Sequence, residues 1–231
     1  MISYDCAAEL NEIINHPGVI EGHLVNGQKP PLDVSPVLER GGFGCLGEGY
    51  GFLMDNIAPG VYEVHTSILP EYRKRSIDIT LEAMAEGFTQ TAVMEIVTRI
   101  KDNKPARILA KSVGMLKTFE RNGYEFFSIH ISHWAAKADQ FKDLGEQFHQ
   151  LLELEGIETN HEHDENHNQY VGIALAMATA GLYDKAIWFY NVWAKLAGFY
   201  PAEQVDDNKA FIGNVIVEFL DGEMRIVKCQ Q

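Results

Sequence analysis

The stretch 62–115 restricts the fold more than any other part of the chain. YEVHTSIL (62–69) alternates and is rich in β-formers, so it predicts a half-buried strand. PEYRKRSID (70–78) follows as a basic turn and leads into ITLEAMAEGF, which has the spacing of an amphipathic helix. AVMEIVT (92–98) predicts a second buried strand, and DNKPARILAKSVGM (102–115) a second helix that starts at Asn103. Strand, turn, helix, strand, helix is the order of an α/β arrangement.

Around this stretch the punctuation is clear. Residues 5–15 predict a short helix stopped by His16-Pro17-Gly18, and 28–36 a proline-rich loop. GGFGCLGEGYGFLM (41–54) predicts a hairpin interrupted by glycines. No helix pattern follows those glycines, so they read as turn or bulge positions, not as a phosphate loop. YEFFSIHIS (124–132) predicts a strand that closes a first unit near Trp134. Residues 135–156 are helical in pattern, with Phe141, Leu144, Phe148, Leu151 and Leu152 on one face. After a polar linker, 159–168, come two helices, 170–180 and 183–197, stopped by Gly181 and by Gly198 with Pro201. Tyr170, Val171, Ile173, Ala174 and Met177 form a stripe on the first, and Trp188, Tyr190 and Trp193 crowd the second. Residues 210–228 predict a β-hairpin turned at Asp221-Gly222. The expected division is into 1–134 and 135–231, and 231 residues suffice for one large or two small cores.

The charge excludes some roles. A net charge of −14 argues against general nucleic-acid or membrane affinity. It is unevenly spread. Residues 99–121 hold seven Lys/Arg against Asp102 and Glu120, whereas 143–168 hold eight acidic residues, four histidines and no Lys or Arg. Such a split suits two surfaces of opposite sign, and the aromatic second half predicts a protein partner or a homo-oligomer. No apolar run reaches the roughly 20 residues of a membrane span, and the N-terminus lacks the pattern of a secretory signal. Cys6, Cys45 and Cys229 are far apart, which suits free thiols in a cytoplasmic setting. His161, His163 and His167, set among Glu162, Asp164 and Glu165, sit in a polar linker, so a solvated acidic loop is expected there and no metal.

The 62–115 stretch resembles the core of the GNAT superfamily of N-acetyltransferases, which bind acetyl-CoA. The resemblance spans about 5–133. It implies a GNAT-like mixed central sheet flanked by helices, to which the C-terminal helical hairpin and β-hairpin would be added. In that family the strand before the turn, here ending at Ile68 and Leu69, offers main-chain groups to the pantetheine arm. The turn, typically Arg-Gly-x-Gly-x-Gly or Ala, wraps the pyrophosphate with backbone N–H groups. Here it reads Arg73-Lys74-Arg75-Ser76-Ile77-Asp78. Arg73 and Ile77 match, while Lys74, Ser76 and Asp78 replace the small residues. Asp78 is expected to cap its helix and stand where the anion would sit. Asn103, Ala106, Ala110 and Gly114-Met115 follow the family's second pattern, in which the Asn contacts the cofactor. Many relatives carry a tyrosine acid where this chain has Ala110; Ser112 and Tyr124 are the candidate replacements. Glu63 and His65 point to one face of their strand and are the candidate bases.

The phrasing from His167 to Gly198 is similar to C-terminal extensions of GNAT-like proteins from tailed bacteriophages, implying a role in virion assembly. Two functions follow from the resemblance. The first, favoured by the lost glycines and by Ala110, is a non-catalytic structural or interaction protein with a diverged cofactor turn. The other is an acetyl-CoA-dependent N-acetyltransferase with an unknown amine acceptor.

Overall fold

A computed structural model describes residues 1–24, 28–154, 156, 165–197, 202–206, 209–212, 215–220 and 223–229. They fall into two compact units, Met1–Phe88 with Val93–Trp134, and Thr89–Ala92 with Ala135–Gln231.

In the first unit the chain runs β1 (Ile2–Ser3), α1 (Ala7–Ile14), α2 (Ser35–Glu39), β2 (Phe43–Gly47), β3 (Tyr50–Ala58) and β4 (Val61–Ile68). It continues with α3 (Ser76–Gln90), β5 (Glu95–Ile100), α4 (Lys104–Ser112), β6 (Leu116–Arg121), β7 (Tyr124–His130) and α5 (Ile131–Ala135). The strands form a seven-stranded sheet in the order β1-β2-β3-β4-β5-β7-β6. Only β4 and β5 run parallel, because α3 carries the chain back between them. The mixed central sheet flanked by helices expected of a GNAT-like fold is present.

The two sheet faces are packed by different helices. Leu53 on β3 joins Cys6, Leu10, Ile14 and Val34 in one cluster beneath α1. Glycines allow that approach. A Cβ at Gly44 would lie 2.5 Å from Cys6 Sγ, and one at Gly51 2.7 Å from Leu10. Gly44 and Gly51 therefore serve a close helix approach, whereas Gly49, with φ +74°, makes the β2–β3 turn. On the other face Cys45 lies against the Ala83 carbonyl of α3, and Phe88 packs on Trp134 with ring centroids 4.9 Å apart. Phe43, Phe52, Phe88 and Phe127 are among the largest fully buried side chains.

Among the elements of this unit that escape the sequence patterns are α2 and β6. The five-residue helix α2 starts at the end of the expected loop and runs beyond it; Asp33 accepts from the Ser35 N–H and hydroxyl at its start. Strand β6 is exposed throughout, so it has no apolar face to alternate. Its signal is the turn Asn122-Gly123, both residues at positive φ (54° and 75°), joining it to β7. The second buried strand begins at Glu95, three residues later than its hydrophobic run, because Val93 is buried before the ladder starts.

The second unit contains α6 (Lys142–Leu154), α7 (Glu165–Thr179) and α8 (Tyr183–Ala197). Strands β8 (Ala202–Asp206), β9 (Lys209–Ile212), β10 (Val215–Leu220) and β11 (Glu223–Cys229) follow. The expected C-terminal hairpin is a four-stranded antiparallel sheet, order β11-β10-β9-β8. Its first two strands, AEQVD and KAFI, are too short for a visible alternation. The Asp221-Gly222 turn and Gly198 and Pro201 lie outside the described residues. Helix α7 starts at Glu165, inside the expected linker. A Cβ at Gly145 would meet the Asn168 carbonyl at 1.9 Å, so α6 and α7 touch backbone to backbone there. The rings of His167 and Tyr170 each stack on Trp193 at 5.0 Å, which makes Trp193 core, while Trp188 is 41% exposed. Asn191 ties α8 to β8, donating to the Ala202 carbonyl at 2.9 Å and accepting from its N–H at 2.6 Å. Among the described residues no helix is long and apolar enough to cross a membrane.

Candidate functional site

The site is built on β4, at the point where its two edges cease to be alike. Toward β3 it is paired over its whole length, as far as Tyr50 opposite Ile68. Toward β5 the ladder covers only Val61, Tyr62 and Glu63, opposite Glu95, Ile96 and Val97. Beyond Glu63 the two parallel strands part. The Val64 carbonyl there accepts the Thr98 hydroxyl, at 3.3 Å. Carbonyls two residues apart on a strand leave the same edge, so the Thr66 carbonyl also faces this opening.

Glu63 and His65 share one face of β4, as their spacing predicts, and Ser67 extends the row. It is the α1 face, because Leu53 and Gly51, which lie opposite His65 and Ser67, both touch α1. Asp55 stands opposite Glu63. Each carboxylate has its own arginine: Arg40 reaches Asp55 at 2.8 Å and Arg99 reaches Glu63 at 2.8 Å. The other Asp55 oxygen is buried without a hydrogen bond among the described residues. His23, at the end of a short turn after α1, sets Nε2 3.0 Å from the Ser67 hydroxyl, and its ring also meets the Thr66 carbonyl.

Burial dominates the electrostatics of this group. It raises the Glu63 pKa; Arg99 opposes the rise and Asp55 adds to it. Burial lowers the His65 pKa, with Arg99 acting in the same sense. His23 is lowered to about 4 by burial and then by His65, against the pull of the Thr66 carbonyl. Both imidazoles are therefore mainly neutral at pH 7 and weaker bases than an exposed histidine, whereas Glu63 is a stronger base than an exposed carboxylate. Alternation on β4 predicts the place of Glu63 and His65. Asp55, Arg40, Arg99 and His23 reach the site from elsewhere in the sequence, and no local pattern marks them.

The turn 70–78 takes another form than an open anion loop. Pro70–Arg75 is wound as a 3-10 helix that runs straight into α3. The Leu69 N–H bonds the Gly49 carbonyl, the Tyr72 N–H the Leu69 carbonyl at 3.0 Å, and the Ser76 N–H the Arg73 carbonyl. Winding thus uses main-chain donors that a pyrophosphate would need. Arg73 donates through Nη2 to the Gly18 carbonyl. Lys74, Arg75, Ile77 and Asp78 are exposed, and Ile68 is buried. The expected Asp78 cap is absent: among the described residues its carboxylate bonds no helix N–H. A helix entered through a 3-10 turn has already bonded the donors that a cap serves.

Asn103 does act as a cap. Its Oδ1 accepts the Ala106 N–H at 3.0 Å, while the chain arrives extended, with φ −118° and ψ 93°. Ala110 is buried and carries no hydroxyl, and Ser112 is exposed in the last turn of α4. Tyr124 begins β7 beside the end of β5, with Lys101 Nζ 5.4 Å from its ring centroid. Along β5 that is three residues past Val97, the partner of Glu63, or about 10 Å. Tyr124 and Asn103 are therefore placed at the far end of the opening, and Glu63 and His65 at its root. Among the described residues no cluster of His, Cys, Asp and Glu is placed to hold a metal, and residues 161–164 of the histidine tract lie outside them.

No protein-family model matches the chain, and no curated protein matches it. Among solved structures it is similar to a spermidine N-acetyltransferase from Vibrio cholerae in complex with CoA and spermine. That match has 12% identity and a TM-score of 0.43, over 58% of this chain and 96% of the other. It is also similar to the Campylobacter jejuni N-acetyltransferase PseH in complex with acetyl coenzyme A, at 13% identity and a TM-score of 0.33. There it spans 36% of its own length and 59% of that of PseH. A GNAT-family acetyltransferase from Bacillus anthracis matches at 15% identity and a TM-score of 0.34, over 42% and 70%.

Proposed function

We propose that the unit of residues 1–88 and 93–134 is an acetyl-CoA-dependent N-acetyltransferase whose phosphate contacts come from side chains. One observation carries the reading. Immediately after Glu63, β4 parts from β5, which leaves the Val64 and Thr66 carbonyls on an open edge beside the desolvated Glu63 and His65. Acetyl-CoA would supply the acetyl group. The chain's own task is to remove a proton from the attacking amine; burial raises the basicity of Glu63 for this, while it holds His65 neutral and makes it the weaker base. Lys74 and Arg75, both exposed, would hold the phosphates as charges in place of backbone N–H groups. Asn103 keeps its amide nitrogen for the cofactor while its oxygen caps α4. With Ala110 at the usual acid position, the departing thiolate would take its proton from water or from Tyr124.

The winding of Pro70–Arg75 favours a second reading, a non-catalytic interaction or assembly protein of the kind tailed phages encode. The exposed Trp188 on α8 would then anchor a protein partner or a second copy. Calorimetric titration with acetyl-CoA, CoA and ATP separates the two. A ligand at about one hundred times Kd stabilises the fold by roughly 2.7 kcal/mol, several degrees of melting temperature. That shift with acetyl-CoA and its absence with ATP supports the enzyme. No heat and no shift at millimolar acetyl-CoA supports the second reading.

A further inference from the structure

Building on the acyl-donor reading above, we infer that residues 16–23 are an internal strap lying in the donor's place on β4, which must leave before CoA can bind. Two contacts at opposite ends of the donor path belong to this one short segment. At the strand, the His23 ring meets the Thr66 carbonyl, a group on the open edge of β4, and takes the Ser67 hydroxyl at 3.0 Å. At the turn, Arg73 donates to the Gly18 carbonyl, so the arginine that would face the phosphates is turned to the strap. Gly18 also abuts Pro70: a Cβ there would sit 2.7 Å from Pro70 Cγ.

The strap is a wound element with its own bonds. The His16 carbonyl accepts from Val19 and Ile20, at 2.8 and 3.0 Å, and His16 Nδ1 accepts from the Gly18 N–H at 3.1 Å. Val19 and Ile20 are buried, and the His23 N–H closes on the Ile20 carbonyl at 3.0 Å. A pantetheine amide and a phosphate would each compete with a bond already made inside the protein. The apparent affinity for CoA is then reduced by the fraction of molecules whose strap is open. Gly18 and His23 are thereby regulatory positions of the same site.

The test compares CoA affinity in the wild type, His23→Ala and His23→Gln by calorimetry, with melting curves to show that each is folded. Glutamine retains a donor for the Thr66 carbonyl and alanine does not. The expected result is CoA binding about tenfold tighter in His23→Ala, with His23→Gln close to wild type. Gly18→Ala, which pushes the strap from Pro70 and leaves His23 in place, is expected to tighten binding in the same direction, and replaces His23→Ala if that variant loses its cooperative melt. Equal CoA binding in all four proteins overturns the strap and leaves the acetyltransferase reading standing. No binding by any of them at millimolar CoA overturns both. Binding by His23→Ala and Gly18→Ala alone supports both.

Discussion

Helices α3 and α4 both follow a strand of the central sheet, and both begin where the resemblance places a cofactor contact, yet they begin differently. Helix α4 is entered from an extended residue, so no preceding turn bonds its first donors; Pro105 has no N–H, and the Asn103 side chain takes that of Ala106. Helix α3 is entered through Pro70–Arg75, a turn that bonds its own donors before the helix proper begins. The difference shows that the route into a helix, as much as the residue at its first turn, decides whether its N-terminus is open to an anion. A carboxylate at 78 has nothing to cap there.

Acid should separate the two regions most strongly. His23 is held at about 4 against an ordinary 6.5. Its pKa is depressed by folding, so its contribution is full above about 6.5 and is lost as pH falls toward 4. The unit should lose stability across that window, approaching roughly 3 kcal/mol from His23, with His65 adding in the same direction. His23→Gln should flatten the profile, and denaturant melts at intervals from pH 7 to 4 would show it. Asn103→Ala should leave the profile's shape unchanged.

Next is the entry to α3. Gly49 has φ +74°, and a Cβ there would lie 2.1 Å from the Tyr72 ring, while its carbonyl holds the Leu69 N–H. Gly49→Ala should destabilise by about 2 kcal/mol, read as a lower urea midpoint with an unchanged slope. Asn103→Ala should lower stability by about 1 kcal/mol through the lost cap. The smallest change is Asp78→Ala, which should stay within about 0.5 kcal/mol. If Asp78→Ala matched Asn103→Ala in urea melts, the two helix starts would be equivalent after all.

Much of the sheet is legible because its signals are local. The alternation on 62–69, Asn103 before its helix and Gly49 at the β2–β3 turn each act within a few residues, whereas Gly44 and Gly51 answer to α1, far off in sequence. Asn122-Gly123 is equally local and marks β6, whose exposed residues carry no pattern of their own. The site is legible only in its β4 half. Asp55 and Arg99 flank Glu63 through cross-strand pairing, and His23 arrives over a long sequence separation. The winding of Pro70–Arg75 is equally hidden. Its cause lies partly in Gly49, which accepts the Leu69 N–H from another strand pair, so a basic PEYRKR segment reads as an open turn.

The central claim is that the open edge of β4 binds the donor and that the strap yields it. Amide hydrogen exchange followed by mass spectrometry, with and without saturating acetyl-CoA and with ATP as control, tests both parts at once. The account predicts slower exchange over 64–69 and faster exchange over 16–23 with acetyl-CoA, and no change with ATP. Unchanged exchange in both segments, or slower exchange in both, would contradict it.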